Sequence, residues 1–181
     1  MPALLWRWRR ENCGRMPKGF IARRDEAVEA MMGFLKSPLH RRAVFLLLGK
    51  SGAGKTNALK KLGRELGKEV VNANLCLAKY VKERGAPKWM WEDLIEEGWR
   101  KFFSDLKEGD FILIDNIEIF YDFPKIGFLR IAEEECIMQK GKKAIIGVSG
   151  FVLGDKIYFC DDKRFLANAS DWRGRFYDIN P

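Results

Sequence analysis

The chain has 181 residues, of which 47% are apolar and 32% are charged. This balance is typical of one globular domain and excludes a disordered, collagen-like or disulfide-stapled chain. No apolar run approaches the ~20 residues that cross a bilayer, and the first residues lack the charge layout of a signal peptide. We therefore expect a cytoplasmic protein that does not bind membranes. Four widely spaced cysteines and one histidine argue against a zinc site, and we expect reduced thiols, mostly in the core.

The net charge of +8 is concentrated at the N-terminus, where residues 1–24 carry +6 and the remaining 157 residues carry only +2. We therefore divide the chain into a basic N-terminal arm, residues 1–24, and one domain, residues 25–181. Trp6 and Trp8 lie among the arginines of the arm. Such an arm can bind nucleic acid through its phosphates and bases, dock on an acidic partner, or have no role, and the sequence leaves these three open.

Predicted helices and strands alternate along the chain. Apolar residues at helical spacing predict helices over 25–36, 59–66, 75–84, 91–107 and 126–139. Short apolar runs predict strands over 43–48, 69–73, 111–114, 144–148 and 157–160. Strands that alternate with helices form a mainly parallel sheet with helices on both faces. The last strand follows the fourth too closely for a parallel return, so we expect it to be a hairpin partner or an edge strand.

The segment from Gly49 to Thr56, GKSGAGKT, matches the phosphate-loop pattern G-x-x-x-x-G-K-[ST] in full. A predicted buried strand precedes it and an amphipathic helix follows it. In this pattern the glycines let backbone N–H groups approach a polyphosphate, the lysine contacts the β- and γ-phosphates, and the hydroxyl ligates Mg²⁺. The sequence therefore predicts a site for ATP and Mg²⁺. Its predicted nucleotide-binding residues are Gly49, Lys50, Ser51, Gly52, Ala53, Gly54, Lys55 and Thr56.

A second acidic element follows the third predicted strand, which ends at Asp115, on the edge where open α/β sheets bind ligands. We predict that Asp115 holds Mg²⁺ together with Thr56. Many ATPases of the additional-strand class have a glutamate directly after this aspartate to orient the attacking water, but here Asn116 takes that place and Glu118 lies two residues further on. Ser149, after the fourth strand, is the candidate sensor of the γ-phosphate. The catalytic candidates are Lys55, Asn116, Glu118 and Ser149.

Three segments together resemble one known family: Asn72-Ala73-Asn74-Leu75, the phosphate-loop motif, and Leu113-Ile114-Asp115-Asn116-Ile117-Glu118-Ile119-Phe120. It is the family of small P-loop proteins of type 3 BREX phage-defence systems, called BrxF, and the resemblance covers roughly residues 43–160. The resemblance implies an ATP-binding accessory of a DNA-modifying defence complex, with ATP hydrolysis as an option. It also makes Asp115, Asn116 and Glu118 one functional element. The segment from Phe20 to Glu26 is more similar to the lead-in of AAA+ and STAND ATPases.

We therefore predict a three-layer P-loop NTPase core of the additional-strand class, without the C-terminal helical lid of a full AAA+ module. The predicted function is that of a Mg²⁺-dependent ATPase subunit in a DNA-handling or phage-defence assembly. It would have protein partners, with nucleic acid on the arm and a homo-oligomer as further options. The sequence contains no Asn-Lys-x-Asp motif, which is the signature of guanine recognition, and this favours ATP over GTP.

Two alternative functions stay open. One is a nucleotide-gated adaptor that binds ATP with little turnover, which Asn116 in the place of a glutamate favours. The other is a P-loop kinase for a small metabolite. Sites of this type often receive an arginine from a neighbouring subunit. The candidates by position alone are Arg130, Arg164, Arg173 and Arg175.

Overall fold

The computed structural model describes residues 18–38, 43–138, 141–160, 164–172 and 174–180. Within these ranges the α-helices are α1 (Lys18–Lys36), α2 (Lys55–Leu66), α3 (Ala73–Glu83), α4 (Trp91–Ser104), α5 (Ile119–Asp122) and α6 (Phe128–Met138). The strands are β1 (Val44–Leu48), β2 (Val70–Asn72), β3 (Phe111–Asp115), β4 (Lys143–Val148), β5 (Gly150–Leu153), β6 (Lys156–Phe159), β7 (Phe165–Asn168) and β8 (Phe176–Asp178). Short 3₁₀ helices cover Lys88–Met90 and Ala169–Trp172. The predicted arm lies outside the described residues up to residue 17.

The central sheet has the strand order β2-β3-β4-β1-β8, and all of these pairs are parallel. The first four predicted strands lie in it, which confirms the α/β class and the mainly parallel sheet. Its fifth strand, β8, was not predicted, because Phe176-Tyr177-Asp178 contains no aliphatic run and its place in the sheet depends on pairing with β1. Leu46 to Leu48 of β1 pair with Phe176 to Asp178 of β8. The C-terminal segment therefore lies beside the strand that leads into the glycine-rich motif.

Helices cover both faces of the central sheet, because successive residues of a strand point to opposite sides. In β1, Phe45 and Leu47 pack in the core under α1 and α2, whereas Val44, Leu46 and Leu48 belong to the core under α3, α4 and α6. All five residues are buried. Burial on both sides explains why β1 is a continuous apolar run rather than an alternating one. This arrangement is compatible with a three-layer α/β fold.

An aromatic cluster on the second face anchors the segment that follows β3. Trp99 of α4 is fully buried and packs edge-on against Phe103 and Phe120, with ring centroids 5.1 and 5.0 Å apart. Its indole N–H donates to the carbonyl of Phe128 over 2.9 Å, so the buried polar atom has a partner. Because Phe120 lies in α5, this cluster holds the backbone directly after the turn at the end of β3.

The strands β5, β6 and β7 form a separate antiparallel sheet. The last predicted strand lies in β6, and its hairpin with β5 confirms that it does not return in parallel. The two-residue turn of this hairpin has Gly154 at a φ of 61°, a left-handed conformation that glycine adopts without strain. Phe159 of β6 packs against Tyr121 and Phe128. These contacts seat the small sheet beside α5 and α6.

Helix α1 begins at Lys18, earlier than predicted. Lys143 of β4 satisfies its last carbonyl groups, since the Lys143 ammonium donates to the carbonyls of Phe34 (3.0 Å), Leu35 (2.7 Å) and Ser37 (2.6 Å). Burial lowers the pKa of Lys143. Although α1 has 19 residues, neither it nor any other helix in the described ranges combines the length and apolar character needed to cross a bilayer.

The cysteines differ in their surroundings. Cys136 of α6 is fully buried, and burial raises the pKa of its thiol to about 12, so it is an inert core residue. Cys76 on α3 is exposed, and the expectation of a core position is wrong for it because its side of α3 faces away from the sheet. Cys160 is partly exposed, and none of these three cysteines forms a disulfide bond in the part of the chain that the structure describes.

Candidate functional site

A glycine-rich loop, residues 49–54, joins β1 to α2 at the carboxyl edge of the central sheet. Gly52 and Gly54 have φ angles of 79° and 97°, which residues with a Cβ atom rarely adopt. At Gly49 a Cβ atom would lie 2.5 Å from the side chain of Ile179. The loop therefore requires glycine at these positions. It delivers the chain to the start of α2, where the first N–H groups have no partners within the helix and can bind an anion.

Lys55 is the first residue of α2 and is buried, with 8% of its surface exposed. Its ammonium donates to the carbonyls of Gly49 (2.7 Å) and Lys50 (3.1 Å). It also lies 3.4 Å from the hydroxyl of Ser149. The side chain thus folds back over the loop and brings a positive charge to the concave side of the turn. A cation in such a desolvated position favours a bound anion.

Thr56 and Asp115 meet across the gap between α2 and β3. The Thr56 hydroxyl donates to a carboxylate oxygen of Asp115 over 2.5 Å, although 59 residues separate the two. Asp115 is only 4% exposed. Gly147 of the neighbouring β4 leaves room for its carboxylate, since a Cβ atom there would lie 2.7 Å from Asp115 Oδ1.

These two side chains can hold a divalent metal ion. A hydroxyl and a carboxylate are hard oxygen ligands, which Mg²⁺ binds together with phosphate oxygens and water. In the part of the chain that the structure describes, no three His, Cys, Asp or Glu side chains converge on one point. The pair of Thr56 and Asp115 is therefore the metal-binding arrangement that the site offers, and it suits an ion that keeps most of its water and phosphate ligands.

The turn after β3 directs Glu118 back toward the glycine-rich loop. Asn116 has a φ of 57° and is the one non-glycine residue with a positive φ in the described ranges. Asparagine tolerates this left-handed conformation better than most residues. The carbonyl of Asn116 accepts from the N–H of Asn74 over 2.9 Å, and the catalytic role of the Asn116 side chain stays a prediction.

Asn74, near the start of α3, is the residue that holds this turn. Its Oδ1 accepts from the N–H of Ile119 over 2.7 Å. Its Nδ2 donates to Glu118 Oε2 over 3.0 Å. Sequence reasoning included Asn74 only in a family resemblance and assigned it no role. An asparagine 44 residues before a glutamate carries no spacing signal, so only the tertiary structure identifies it.

Ser149 joins the two halves of the site. Its hydroxyl lies 3.4 Å from Lys55 Nζ and donates to Glu118 Oε1 over 3.4 Å. It directly follows β4, which lies between β1 and β3 in the sheet, so the strand order itself brings it between the loop and the turn. The structure thus brings the predicted residues Lys55, Glu118 and Ser149 together at the edge where α/β sheets bind ligands.

The C-terminal segment braces the glycine-rich loop, which sequence reasoning missed. Asn180 Oδ1 accepts from the backbone N–H of Lys50 over 2.7 Å. Asn180 Nδ2 donates to the carbonyl of Gly150 (3.1 Å) and to Asp178 Oδ1 (2.7 Å). The N–H of Ile179 donates to the carbonyl of Leu48 over 2.9 Å. One asparagine therefore ties together the loop, the residue after Ser149 and strand β8.

Three of the four arginines singled out by position make contacts within the chain. Arg175 is buried, stacks on Trp172 with its guanidinium carbon 4.2 Å from the ring centroid, and pairs with Glu133, which makes it a structural residue. Arg164 donates to the carbonyl of Tyr121 over 3.1 Å. Arg130 pairs with Glu134 on the surface of α6. Arg173, and Trp6 and Trp8 of the arm, lie outside the described residues.

The assembled edge combines a backbone turn that can accept an anion, a buried ammonium group, a pair of metal-binding oxygens and a partly buried carboxylate. Of the other predicted nucleotide-binding residues, Lys50 and Ser51 are exposed and Ala53 packs partly against the core under α1 and α2. Such a set can bind a polyphosphate with a divalent ion and can orient a water molecule beside it.

No protein-family model matches this sequence, and comparison with curated proteins finds no detectable relative.

Proposed function

We propose that this chain binds ATP together with Mg²⁺ at the carboxyl edge of the central sheet and hydrolyses it. The observation that carries the proposal is the 2.5 Å contact between Thr56 Oγ1 and Asp115 Oδ2, which lies beside the buried ammonium of Lys55. A hydroxyl and a carboxylate this close can share one divalent ion. The lysine then balances the charge of the β- and γ-phosphates that the ion bridges.

The topology supports a P-loop NTPase core of the additional-strand class. In that class one extra strand separates the strand before the phosphate loop from the strand that carries the metal-binding aspartate. Here β4 lies between β1 and β3, and all three run parallel. The glycines of the loop, with positive φ angles at Gly52 and Gly54, support the same assignment. They let a backbone turn wrap closely around phosphate oxygens.

Glu118 is our candidate for the group that orients the attacking water. Its carboxylate lies 3.4 Å from Ser149 Oγ, which is in turn 3.4 Å from Lys55 Nζ, so it faces the same space as the lysine. A carboxylate in this position can accept a proton from water as the water attacks the γ-phosphorus. Ser149, between the two charged groups, is placed to sense the presence of the γ-phosphate.

A second candidate function is a nucleotide-gated adaptor that binds ATP with little turnover. The observation that favours it is the 3.0 Å hydrogen bond from Asn74 Nδ2 to Glu118 Oε2. That bond occupies one oxygen of the carboxylate and restrains its rotation. The residue after Asp115 is an asparagine, whose amide cannot serve as a general base. Steady-state phosphate release distinguishes the two functions.

For the biological setting, we propose a cytoplasmic subunit of a DNA-handling or phage-defence assembly. The support for this setting is the resemblance of the Asn72–Leu75, phosphate-loop and Leu113–Phe120 segments to BrxF proteins. The concentration of positive charge in residues 1–24 agrees with a partner that carries phosphates.

Nucleotide binding tests the proposal directly. We expect Lys55→Ala to weaken the binding of a fluorescent ATP analogue in the presence of Mg²⁺ by roughly 10- to 150-fold, the usual range for losing hydrogen bonds to a charged group. Titration followed by fluorescence anisotropy measures the change. Lys79→Ala is the matched control, because Lys79 is an exposed lysine on α3 whose ion pair is with Glu83 on the same helix. Equal affinity for the two variants would contradict the proposal.

A further inference from the structure

A basic groove lies beside α2, on the face of the central sheet that α1 and α2 both cover. Its volume is about 780 Å³, and its charged lining consists of Arg24, Lys60, Arg64, Lys68 and Glu69. We propose that this groove is a second binding site, which takes the phosphodiester backbone of a nucleic acid. The site goes beyond the proposed ATP site, because none of its charged residues belongs to the glycine-rich loop or to the residues around Asp115.

Two of the four cationic side chains in the groove form ion pairs with acidic residues, and the other two do not in the described ranges. Arg24 pairs with Asp25 over 3.0 Å, and Lys68 pairs with Asp110 over 2.6 Å. Lys60 and Arg64 are exposed, and neither forms a hydrogen bond or an ion pair with any residue in the described ranges. Two full positive charges therefore face the groove without a counterion from that part of the chain. The one acidic side chain of the lining, Glu69, carries a single negative charge and cannot balance both of these cations.

The spacing of Lys60 and Arg64 directs both charges to one surface. Residues four apart on a helix lie on the same face, about 6 Å apart along the axis. Like charges at this spacing destabilise a helix, so the pair is unfavourable unless a ligand supplies negative charge. A row of phosphates supplies it at regular intervals along a strand, and each neutralised phosphate releases a counterion.

The uncharged lining favours a polyanion over a protein surface. Gly67 exposes bare backbone at part of the wall, Gly63 is buried, and Val70 is the one aliphatic side chain among the lining residues. Protein interfaces depend on large aromatic or aliphatic anchors in desolvated pockets, and this groove has none. A sugar–phosphate backbone needs no such anchor, because salt-dependent phosphate contacts dominate its affinity.

The charge distribution of the chain points to the same ligand. Residues 1–24 carry +6, and this segment ends in α1, where Arg24 contributes to the groove. The last residue of this positively charged segment therefore lines the same groove as the cations of α2. A polyanion with many phosphates suits this excess of positive charge, because each neutralised phosphate adds to the affinity.

The test uses the full chain and a labelled 20-nucleotide DNA of mixed sequence, single-stranded and duplex, followed by fluorescence anisotropy at several salt concentrations. We expect the double variant Lys60→Ala/Arg64→Ala to bind on the order of tenfold or more weakly. We also expect the negative slope of log K against log[salt], where K is the association constant for DNA, to become shallower. The change should be about 1.4 for single strands and about 1.8 for duplex, since two phosphate contacts are lost. The control is Lys79→Ala/Arg130→Ala, which removes the same charge from exposed positions on α3 and α6.

Several outcomes would overturn the proposal. They are an absence of DNA binding by the unmodified chain at 50 mM salt, equal losses in the two double variants, and competition by polyglutamate as strong as that by unlabelled DNA. The charge-conserving variant Lys60→Arg/Arg64→Lys should bind DNA as the unmodified chain does, and a loss there would also overturn it. Affinity for the ATP analogue, measured in parallel, should stay unchanged in every groove variant, so failure of the ATP site and failure of the groove are distinguishable.

Discussion

Two turns at the carboxyl edge of the central sheet carry the proposed site, and they are held in different ways. The glycine-rich loop follows β1, and its shape depends on positive φ angles at Gly52 and Gly54. The turn after β3 has one left-handed residue, Asn116, and is held mainly by the side chain of Asn74. The shape of the first turn is thus encoded mainly by the residues within it, with Asn180 as a distant brace, whereas the second turn depends mainly on a residue from another helix.

This difference separates binding from turnover. The loop, with Lys55 and Thr56 behind it, supplies the contacts that a polyphosphate needs. The turn supplies Glu118, which a polyphosphate does not need for binding but which water needs for attack. Variants in the loop should therefore change affinity, and variants in the turn should change the rate of phosphate release.

The largest effect that we expect comes from the second turn. Glu118→Gln keeps the size of the side chain and removes its capacity to accept a proton. Phosphate release should fall by about 10²- to 10⁴-fold, the usual contribution of a general base, while affinity for the ATP analogue with Mg²⁺ stays within twofold. Glu108→Gln, at an exposed position between α4 and β3, is the control. Undiminished hydrolysis by the Glu118 variant would assign the water-orienting role to another group.

The next effect concerns the space between the two turns. A Cβ atom at Gly147 would lie 2.7 Å from Asp115 Oδ1 and 3.1 Å from Leu59, so Gly147→Ala should displace the metal-binding carboxylate. We expect the Mg²⁺ requirement for nucleotide binding to rise by about tenfold in concentration. We also expect a loss of about 1–3 kcal/mol in the free energy of unfolding, as for other overpacked cores.

Gly33→Ala is the matched control for this substitution. Gly33 is exposed on α1, and a Cβ atom there would meet nothing within 4 Å. Replacing a helical glycine by alanine should raise the free energy of unfolding by about 0.5–1 kcal/mol. Chemical denaturation measures both changes, and a Mg²⁺ titration of nucleotide binding separates them. If Gly147→Ala left the Mg²⁺ requirement unchanged, the role of Asp115 as a metal ligand would be in doubt.

The sequence predicted the glycine-rich loop and Asp115 better than the contacts of the turn after β3. The glycine-rich loop and Asp115 were predictable because their signals are local: glycines at fixed spacing, and an apolar strand that ends in a carboxylate. The hydrogen bonds that position the Glu118 carboxylate were not predictable, because its partners Asn74 and Ser149 lie 44 and 31 residues away in sequence. Ser149 could be proposed only from its place after a strand.

The fold divides in the same manner. Strands β1, β3 and β4 were predicted because most of their residues are buried and form continuous apolar runs. Strand β2 has only three residues, all partly exposed, and was predicted from a short segment that contains the pair Val70-Val71. Strand β8 has three residues, all partly exposed, and its place beside β1 depends on tertiary pairing. Its position also explains why Asn180 was missed, because an asparagine close to the C-terminus belongs to no motif.

Asn74→Asp tests whether the Asn74 side chain positions Glu118 in the turn after β3, and we expect a change of about tenfold in the rate of phosphate release. The aspartate keeps an oxygen for the N–H of Ile119, so the backbone anchor survives, but it replaces the donor to Glu118 by an oxygen that repels it. We expect the rate of phosphate release to fall by about tenfold because the carboxylate loses its position, with nucleotide affinity unchanged. A rise in turnover would show that Asn74 restrains Glu118, and would support the adaptor function instead.

The smallest effect tests whether the first turn is encoded only by its own glycines. Asn180→Ala removes the acceptor for the N–H of Lys50 and the donor to Gly150. A hydrogen bond of about 1 kcal/mol corresponds to roughly fivefold, so affinity for the ATP analogue should fall by about three- to tenfold. Asn168→Ala, which removes a surface bond to Asp171, should leave it unchanged. If Asn180→Ala also has no effect, the glycines alone hold the loop, and the contrast between the two turns becomes complete. If affinity falls as expected, both turns depend on a distant asparagine and differ only in how much of their shape is local.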